Sequence, residues 1–189
     1  EVPLPPYMHR SATAMDIERY QTVWAAEDGS VAAPTASLNM TDEIINRLIA
    51  KGVKIVYITL HVGLGTFLPI RTDLVEDHHM HQEHFDIPKE TVGVIQSAKV
   101  SGKRVIALGT TVARTLEYAS DLLKNGPADI SGEADIFIYP GYKFKTIDGL
   151  LTNYHAPKST VLMLTAAFAG WDKLLPAYNH AIAEKYHFF

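Results

Sequence analysis

Cysteine is absent from this 189-residue chain. That omission removes disulfides, thiolate nucleophiles, cysteine-ligated zinc and iron–sulfur clusters from what the chain builds alone, and it favours a cytoplasmic location. Long apolar runs are missing too. The longest, Val161 to Phe168, includes Thr165 and falls well short of the roughly 18 residues that cross a bilayer. The opening Glu-Val-Pro-Leu-Pro-Pro has neither a basic start nor an apolar centre, so it does not read as a signal peptide. It also lacks an initial methionine, which points to a fragment or a processed product. There is no surplus of positive charge: 17 Lys and Arg against 21 Asp and Glu leave a net charge of −4. Bulk capture of nucleic acid is therefore disfavoured, and any RNA contact has to come from a local basic patch or another domain. Repeats and low-complexity tracts are absent as well.

What remains is a soluble balance, 47% apolar and 20% charged residues, enough for one sizeable core. The reading is a single domain over residues 1–189 with a loop-rich entry, residues 1–40, punctuated by Pro3, Pro5, Pro6, Gly29 and Pro34. Thr41 to Lys51 reads as a helix: Thr41 caps it, Asp42 and Glu43 suit its positive end, and Gly52 suits its exit. Ile44, Ile45, Leu48 and Ile49 form its apolar face. Lys54 to Val62 reads as a buried strand. A second helix runs from Pro88 to Gly102, then a strand from Arg104 to Gly109 and a helix from Thr111 to Lys124 with Leu116, Ala119, Leu122 and Leu123 inward. Asp135 to Pro140 and Leu150 to Asn153 read as further strands. A buried helix begins at Ser159, and a last one spans about Lys173 to Tyr186. Strands alternating with helices predict an α/β fold: a mostly parallel sheet, helices on both faces, three layers.

Four clusters fall just beyond strand ends, where such sheets present ligands. In Thr59-Leu60-His61-Val62-Gly63-Leu64-Gly65-Thr66-Phe67, Gly63 and Gly65 allow close backbone approach to a ligand, or simply make a tight turn. The third glycine of a dinucleotide fingerprint is missing. His61 reads either as a satisfied core histidine or as a functional one. The run from Glu76 to His84 packs four histidines and three carboxylates into nine residues. It reads equally as a metal site, as acid–base or substrate contacts, or as a solvated loop. On an extended backbone His79, His81 and Glu83 share one face, while His78, Gln82 and His84 share the other. Gly109-Thr110-Thr111 at a strand-to-helix turn, with Arg114 one turn in, suits a carboxylate or phosphate, or is a plain threonine cap. Thr152 to Thr160 places Asn153, His155, Lys158 and Ser159 at the mouth of the buried helix. Lys143 and Lys145 alternate with Tyr142 and Phe144, a pattern that suits RNA or a strand with a solvated face.

The segments PLPPY, ERYQTV, GSVAAPTA, TLHVGLGTF, H-x-M-H-x-E, GTT followed by R-T-L-E, IFIYPGYKF, TNYHAPKST and EKYHFF occur in this order along the chain. Together they resemble the S-adenosylmethionine:tRNA ribosyltransferase-isomerase family of queuosine biosynthesis. The resemblance covers essentially the whole sequence and implies the C-terminal α/β portion of a two-domain enzyme, without the family's inserted β-barrel. It implies S-adenosylmethionine as co-substrate, no metal, and tRNA as partner. The ribosyl part would pass to 7-aminomethyl-7-deazaguanine in the anticodon and become an epoxycyclopentane, with release of adenine and methionine. The sulfonium charge acidifies the neighbouring C–H, so such a site needs a base, oxyanion donors and a grip on the methionine carboxylate. By the same resemblance, His61, His81, Glu83 and His155 carry acid–base work. Gly63, Gly65, Thr66, Gly109, Thr110, Thr111 and Arg114 bind S-adenosylmethionine, and Arg19, Tyr20, Gln21, Thr35, Asn153 and Lys158 contact substrate.

The chain departs from the family where A-G-L-H-F-T is usual and Ala36-Ser37-Leu38-Asn39-Met40-Thr41 stands instead. Asn39 cannot titrate near neutral pH, and Ser37 stands where glycine would permit a left-handed backbone. His187 replaces a usual arginine, and Phe189 precedes the usual Ser-Tyr-Gly-Asp-Ala-Met ending. Two alternatives follow: a non-catalytic nucleotide- or RNA-binding relative, suggested by Asn39, and a histidine-rich metal-dependent hydrolase, suggested by residues 76–84.

Overall fold

The computed structural model describes residues 10–27, 29–30, 32–63, 72 and 75–188, without the side chains of 17–19 and 76. Helices α1 (Ala14–Arg19) and α2 (Asp42–Ala50) precede strand β1 (Thr59–His61). Strand β2 (Glu83–Ile87), helix α3 (Lys89–Val100), strand β3 (Ile106–Leu108) and helix α4 (Thr110–Tyr118) follow. Strands β4 (Ile130–Ala134) and β5 (Gly149–Leu151) and helices α5 (Thr160–Ala169) and α6 (Trp171–Ala183) complete the described order.

The fold is the layered α/β arrangement that the strand and helix alternation implies, and its sheet pairing is mixed. β3 and β5 pair in parallel. β1, β2 and β4 form an antiparallel ladder with β2 at its centre, and an isolated parallel bridge joins Tyr154 to Phe188. The connection from β2 to β4 runs through α3, β3 and α4. It is long enough to return in either direction, so alternation alone does not set strand polarity. Among the described residues no strands close into a barrel.

Local chemistry accounts for most element ends. The Thr41 hydroxyl accepts from the Ile44 amide at 3.3 Å and caps α2, and the Ser159 hydroxyl does the same for α5 through the Leu162 amide at 3.2 Å. At α3 the cap comes from a distant residue, as Lys89 donates its amide to Asp129 Oδ1 at 2.8 Å. Ser37 sits in a 3-10 turn, Thr35–Asn39, and is not among the residues of positive φ, so the substitution for glycine meets no left-handed backbone here.

Strand limits differ from the expectations, with Arg104–Gly109 shortened to Ile106–Leu108 and Glu83–Ile87 and Ile130–Ala134 added, for one physical reason: a strand lasts only as long as its ladder partner. Lys54 to Ile58 lie outside the ladder, because β1 pairs with β2 only from Thr59↔Asp86 to His61↔His84. The Tyr57 carbonyl accepts instead from the Thr91 hydroxyl at 2.7 Å. The segment 135–140 is not a strand, since Ile130–Ala134 already occupies the free edge of β2. The strand at 149–151 starts earlier and ends sooner than its apolar run suggests, bounded by β3. Among the predicted inward residues, Leu122 is exposed, whereas Leu116, Ala119 and Leu123 are buried. Ile44 and Ile49 are also exposed, leaving Ile45 as the buried residue of α2.

The core lies between the ladder and helices α3, α4 and α5, around Phe85, Ile87, Val92, Ile95, Leu116 and Leu164. Phe85 faces Gly132 across the ladder, and a Cβ there would stand 3.2 Å from the Phe85 ring. A bare glycine gives the aromatic ring its place. At the far end of α4, Glu117 is buried and its carboxylate accepts from the amides of Lys145, Thr146 and Ile147 at 2.8–2.9 Å and from the Tyr142 hydroxyl at 3.1 Å. Burial, reinforced by this carboxylate, pushes the Tyr142 phenol up to about 12, so it stays a donor. One side chain thus satisfies a loop that has no ladder of its own. Glu117→Ala, which strands these donors, is expected to destabilise the chain by roughly 3 kcal/mol or more in urea unfolding; a loss below about 1 kcal/mol would contradict the role.

Candidate functional site

The two faces of β2 divide the histidine-rich region. Glu83, Phe85 and Ile87 are buried on one face, and His84 and Asp86 occupy the other. His61 is the cross-strand partner of His84, with ring centroids 5.7 Å apart. His84 also meets Glu133 Oε1 at 2.9 Å and Asp86 Oδ2 at 3.3 Å. The entry segment lies over this face: a Cβ at Gly29, whose φ is +133°, would stand 2.7 Å from His61 Nδ1. Ser30 accepts from the Val62 amide at 3.1 Å and donates to the Ala32 carbonyl at 2.9 Å. His61 therefore belongs to a different side of the ladder from Glu83.

The Glu83 face holds a pocket. His78, Met80, His81 and Glu83 line it from the run leading into β2, and Thr110, Thr111 and Arg114 from the start of α4. Phe137 and Ile138 form a wall after β4, and Thr160, Val161 and Leu164 form another from α5. Gly109 stands at the N-cap of α4 with φ +98° and no side-chain cap. That φ favours glycine, and the Gly109 amide is tied to the Leu151 carbonyl of β5 at 2.8 Å. The first-turn amides of α4, which have no acceptor within the helix, therefore open where Thr110 and Thr111 line the pocket. Arg114 Nη2 pairs with Glu83 Oε2, and their side chains are only 8% and 3% exposed. Arg114 Nε has no hydrogen-bond partner among the described residues. His78 packs edge-on against Phe137, with centroids 5.0 Å apart. Burial, and then the neighbouring His81 and His79, hold its pKa below the ordinary value.

Of the residues singled out from the sequence, His81, Glu83, Thr110, Thr111 and Arg114 thus meet at one pocket, with Gly109 shaping the helix start behind them. His155 is buried elsewhere: its Nε2 lies 3.1 Å from the Thr152 hydroxyl, and its amide donates to the Tyr178 hydroxyl at 2.8 Å. Tyr154 stacks near Tyr178, Tyr186 and Phe188, holding this loop against the chain's end. Asn153 donates to the Thr35 hydroxyl at 3.0 Å, so two candidate substrate contacts pair with each other. Tyr20 is buried, Gln21 and Gly63 are exposed, and Lys158 is exposed with a left-handed φ of 59°. Arg19 ends α1, with its side chain outside the description, and Gly65 and Thr66 lie outside the described residues.

Among the described residues no group of three His, Asp or Glu is arranged to hold a metal ion. His79 and His81 are exposed, while Glu83 turns inward to Arg114. Lys143 and Lys145 are exposed, but Tyr142 and Phe144 pack edge to face against the core, with centroids 5.1 Å apart. Those two rings are not offered for stacking on bases. Met80, Phe137, Ile138, Thr160, Val161 and Leu164 escaped the sequence reading of the site. Apolar residues in a core-like pattern carry no sign of lining a pocket, although Thr160 closes the motif TNYHAPKST.

Comparison with known proteins agrees with this chain-wide pattern. Residues 1–189 match the family profile described as Queuosine biosynthesis protein. The S-adenosylmethionine:tRNA ribosyltransferase-isomerase of Chlorobium phaeobacteroides is 60% identical over 189 residues, covering 99% of this chain and 55% of that protein. The protein of the same name from Geobacter sulfurreducens is 54% identical over 188 residues, covering 100% of this chain and 54% of that protein. The crystal structure of S-adenosylmethionine tRNA ribosyltransferase from Thermotoga maritima superposes with a TM-score of 0.67 at 40% identity, covering 82% of this chain and 48% of that one. The chain spans about half the length of the curated relatives it matches. Matched along its whole length, this chain belongs to the Queuosine biosynthesis protein family.

Proposed function

We propose that this chain supplies the nucleoside-binding α/β part of an S-adenosylmethionine:tRNA ribosyltransferase-isomerase, which moves and rearranges a ribosyl unit onto 7-aminomethyl-7-deazaguanine in tRNA. The observation that carries the reading is the meeting of the histidine run with the uncapped start of α4 in one pocket. The relatives' names supply the co-substrate and the tRNA, and the pocket's chemistry suits the former. Phe137, Ile138, Val161 and Leu164 offer apolar walls for a flat base. The first-turn amides of α4, the Thr110 and Thr111 hydroxyls and the Arg114 N–H groups offer donors for its polar end.

Bound there, S-adenosylmethionine supplies a sulfonium that acidifies the adjoining C–H groups and makes the ribosyl unit transferable. The chain's own residues do the rest. His81, exposed at the pocket, takes or returns a proton. His78, kept neutral against Phe137, leaves a ring nitrogen able to accept a hydrogen bond. The threonine hydroxyls and helix amides stabilise oxyanions. His61 and His155, away from this lining, are substrate-side candidates, as are Asn153, Thr35 and Lys158. Among the described residues no helix is long and apolar enough to cross a membrane.

Two expectations follow. In the full-length enzyme, His81→Ala lowers adenine release in the presence of modified tRNA by about tenfold to a hundredfold, whereas wild-type turnover in that variant would remove the assignment. His78 titrates below its ordinary value of 6.5. As pH falls below about 6.5 the unfolded chain takes up a proton that the folded one still refuses, so stability drops until the folded pKa is passed. NMR titration of the His78 ring reads this directly. A midpoint at or above 6.5 would contradict the half-buried placement against Phe137.

A further inference from the structure

We infer that Glu83 acts as a specificity residue, neutralising Arg114 so that the pocket at the start of α4 accepts a zwitterionic or neutral nucleoside and rejects phosphate-bearing ones. The inference rests on reading that pocket as a nucleoside site, but it concerns which nucleosides the site refuses. A helix N-terminus carrying a nearby arginine is the usual recipe for phosphate. Here the recipe is altered. The Arg114 guanidinium is paired with Glu83, and both side chains are more than nine-tenths buried.

Glu83 and Arg114 offset one another's charge, so the pocket's positive character comes from the half-charge of one helix end and from His81 when it holds a proton. That suffices for a single carboxylate or a set of hydroxyl oxygens. It is poor compensation for a desolvated dianion. The donors themselves are not lost. Arg114 has five N–H groups; Nη2 faces Glu83, and Nε is buried without a hydrogen-bond partner among the described residues. Arg114 therefore acts as a hydrogen-bond donor whose charge is already balanced. The α-amino-acid end of a sulfonium nucleoside, with one carboxylate and one ammonium, matches a site holding both an arginine and a carboxylate.

A purely structural role for the pair makes a different forecast. Replacing Glu83 would then lower stability and leave anion binding unchanged. Calorimetry with inorganic phosphate and with AMP on wild-type chain, Glu83→Gln, and the double variant Glu83→Gln with Arg114→Gln separates the two. Wild type is expected to bind neither phosphate nor AMP at millimolar concentration. Glu83→Gln is expected to gain roughly tenfold or more in affinity for both, with salt sensitivity. The double variant, neutral again, returns to rejection. Equal phosphate binding in the single and double variants overturns the inference, and so does AMP binding by wild type itself, which needs no variant to fold. Binding of S-adenosylmethionine to wild type is read in the same series. Its absence would sink the proposed co-substrate, while the phosphate comparison would still decide the role of Glu83.

Discussion

Glu83 and Arg114 put two opposite charges where water scarcely reaches, at the junction between the central ladder strand and helix α4. Taking either charge out of water alone costs several kcal/mol, so each requires the other. This requirement fixes how α4 lies against β2. Other ties hold the same helix. The start of α4 is held by the Gly109 amide on Leu151 of β5, and its far end by Glu117 on the amides of residues 145–147. A nine-residue helix is thus anchored to both sheets and to the loop between β4 and β5. Its first turn cannot drift from the pocket it helps to line.

The ladder is also a partition. Because side chains alternate along β2, neighbouring residues Glu83 and His84 serve opposite faces. Glu83 goes to the pocket with His81 and the α4 threonines. His84 goes to His61, Glu133 and Asp86. Histidines that crowd one stretch of sequence are therefore sorted into two chemically distinct surroundings, one apolar and aromatic, the other rich in carboxylates. The entry segment's contact with His61 and Val62 ties Gly29 and Ser30 to the second of them.

Helices were legible in the sequence because their signals are local. Thr41 and Ser159 mark starts by cap chemistry and Pro88 by its fixed φ, and the observed helices begin beside each of them, whereas α4 starts at Thr110 behind an uncapped Gly109. Strands were less legible, since a strand exists where a partner runs alongside, and partners are remote. Residues 130–134, polar and glycine-containing, became β4, while the more apolar 135–140 did not. The pocket's polar half could be read because GTT with Arg114 and the H-x-M-H-x-E run concentrate unusual chemistry. Its apolar half could not, as Ile138 and Leu164 resemble any core residue. Nor did spacing reveal that Glu83 and Arg114 face each other, because 31 positions separate them in a chain whose register depends on the ladder. The same ladder separates His61 from His81, which the family resemblance assigns together to acid–base work.

In the proposed function the nucleoside lies on the Glu83 side of the ladder, against the start of α4. Backbone amide shifts followed by two-dimensional NMR during addition of S-adenosylmethionine decide this. The largest changes are expected at residues 78–83, 110–114 and 160–164, with little change at His61, His84 and Glu133. Changes centred on His61, His84 and Glu133, with the first turn of α4 unmoved, would contradict it.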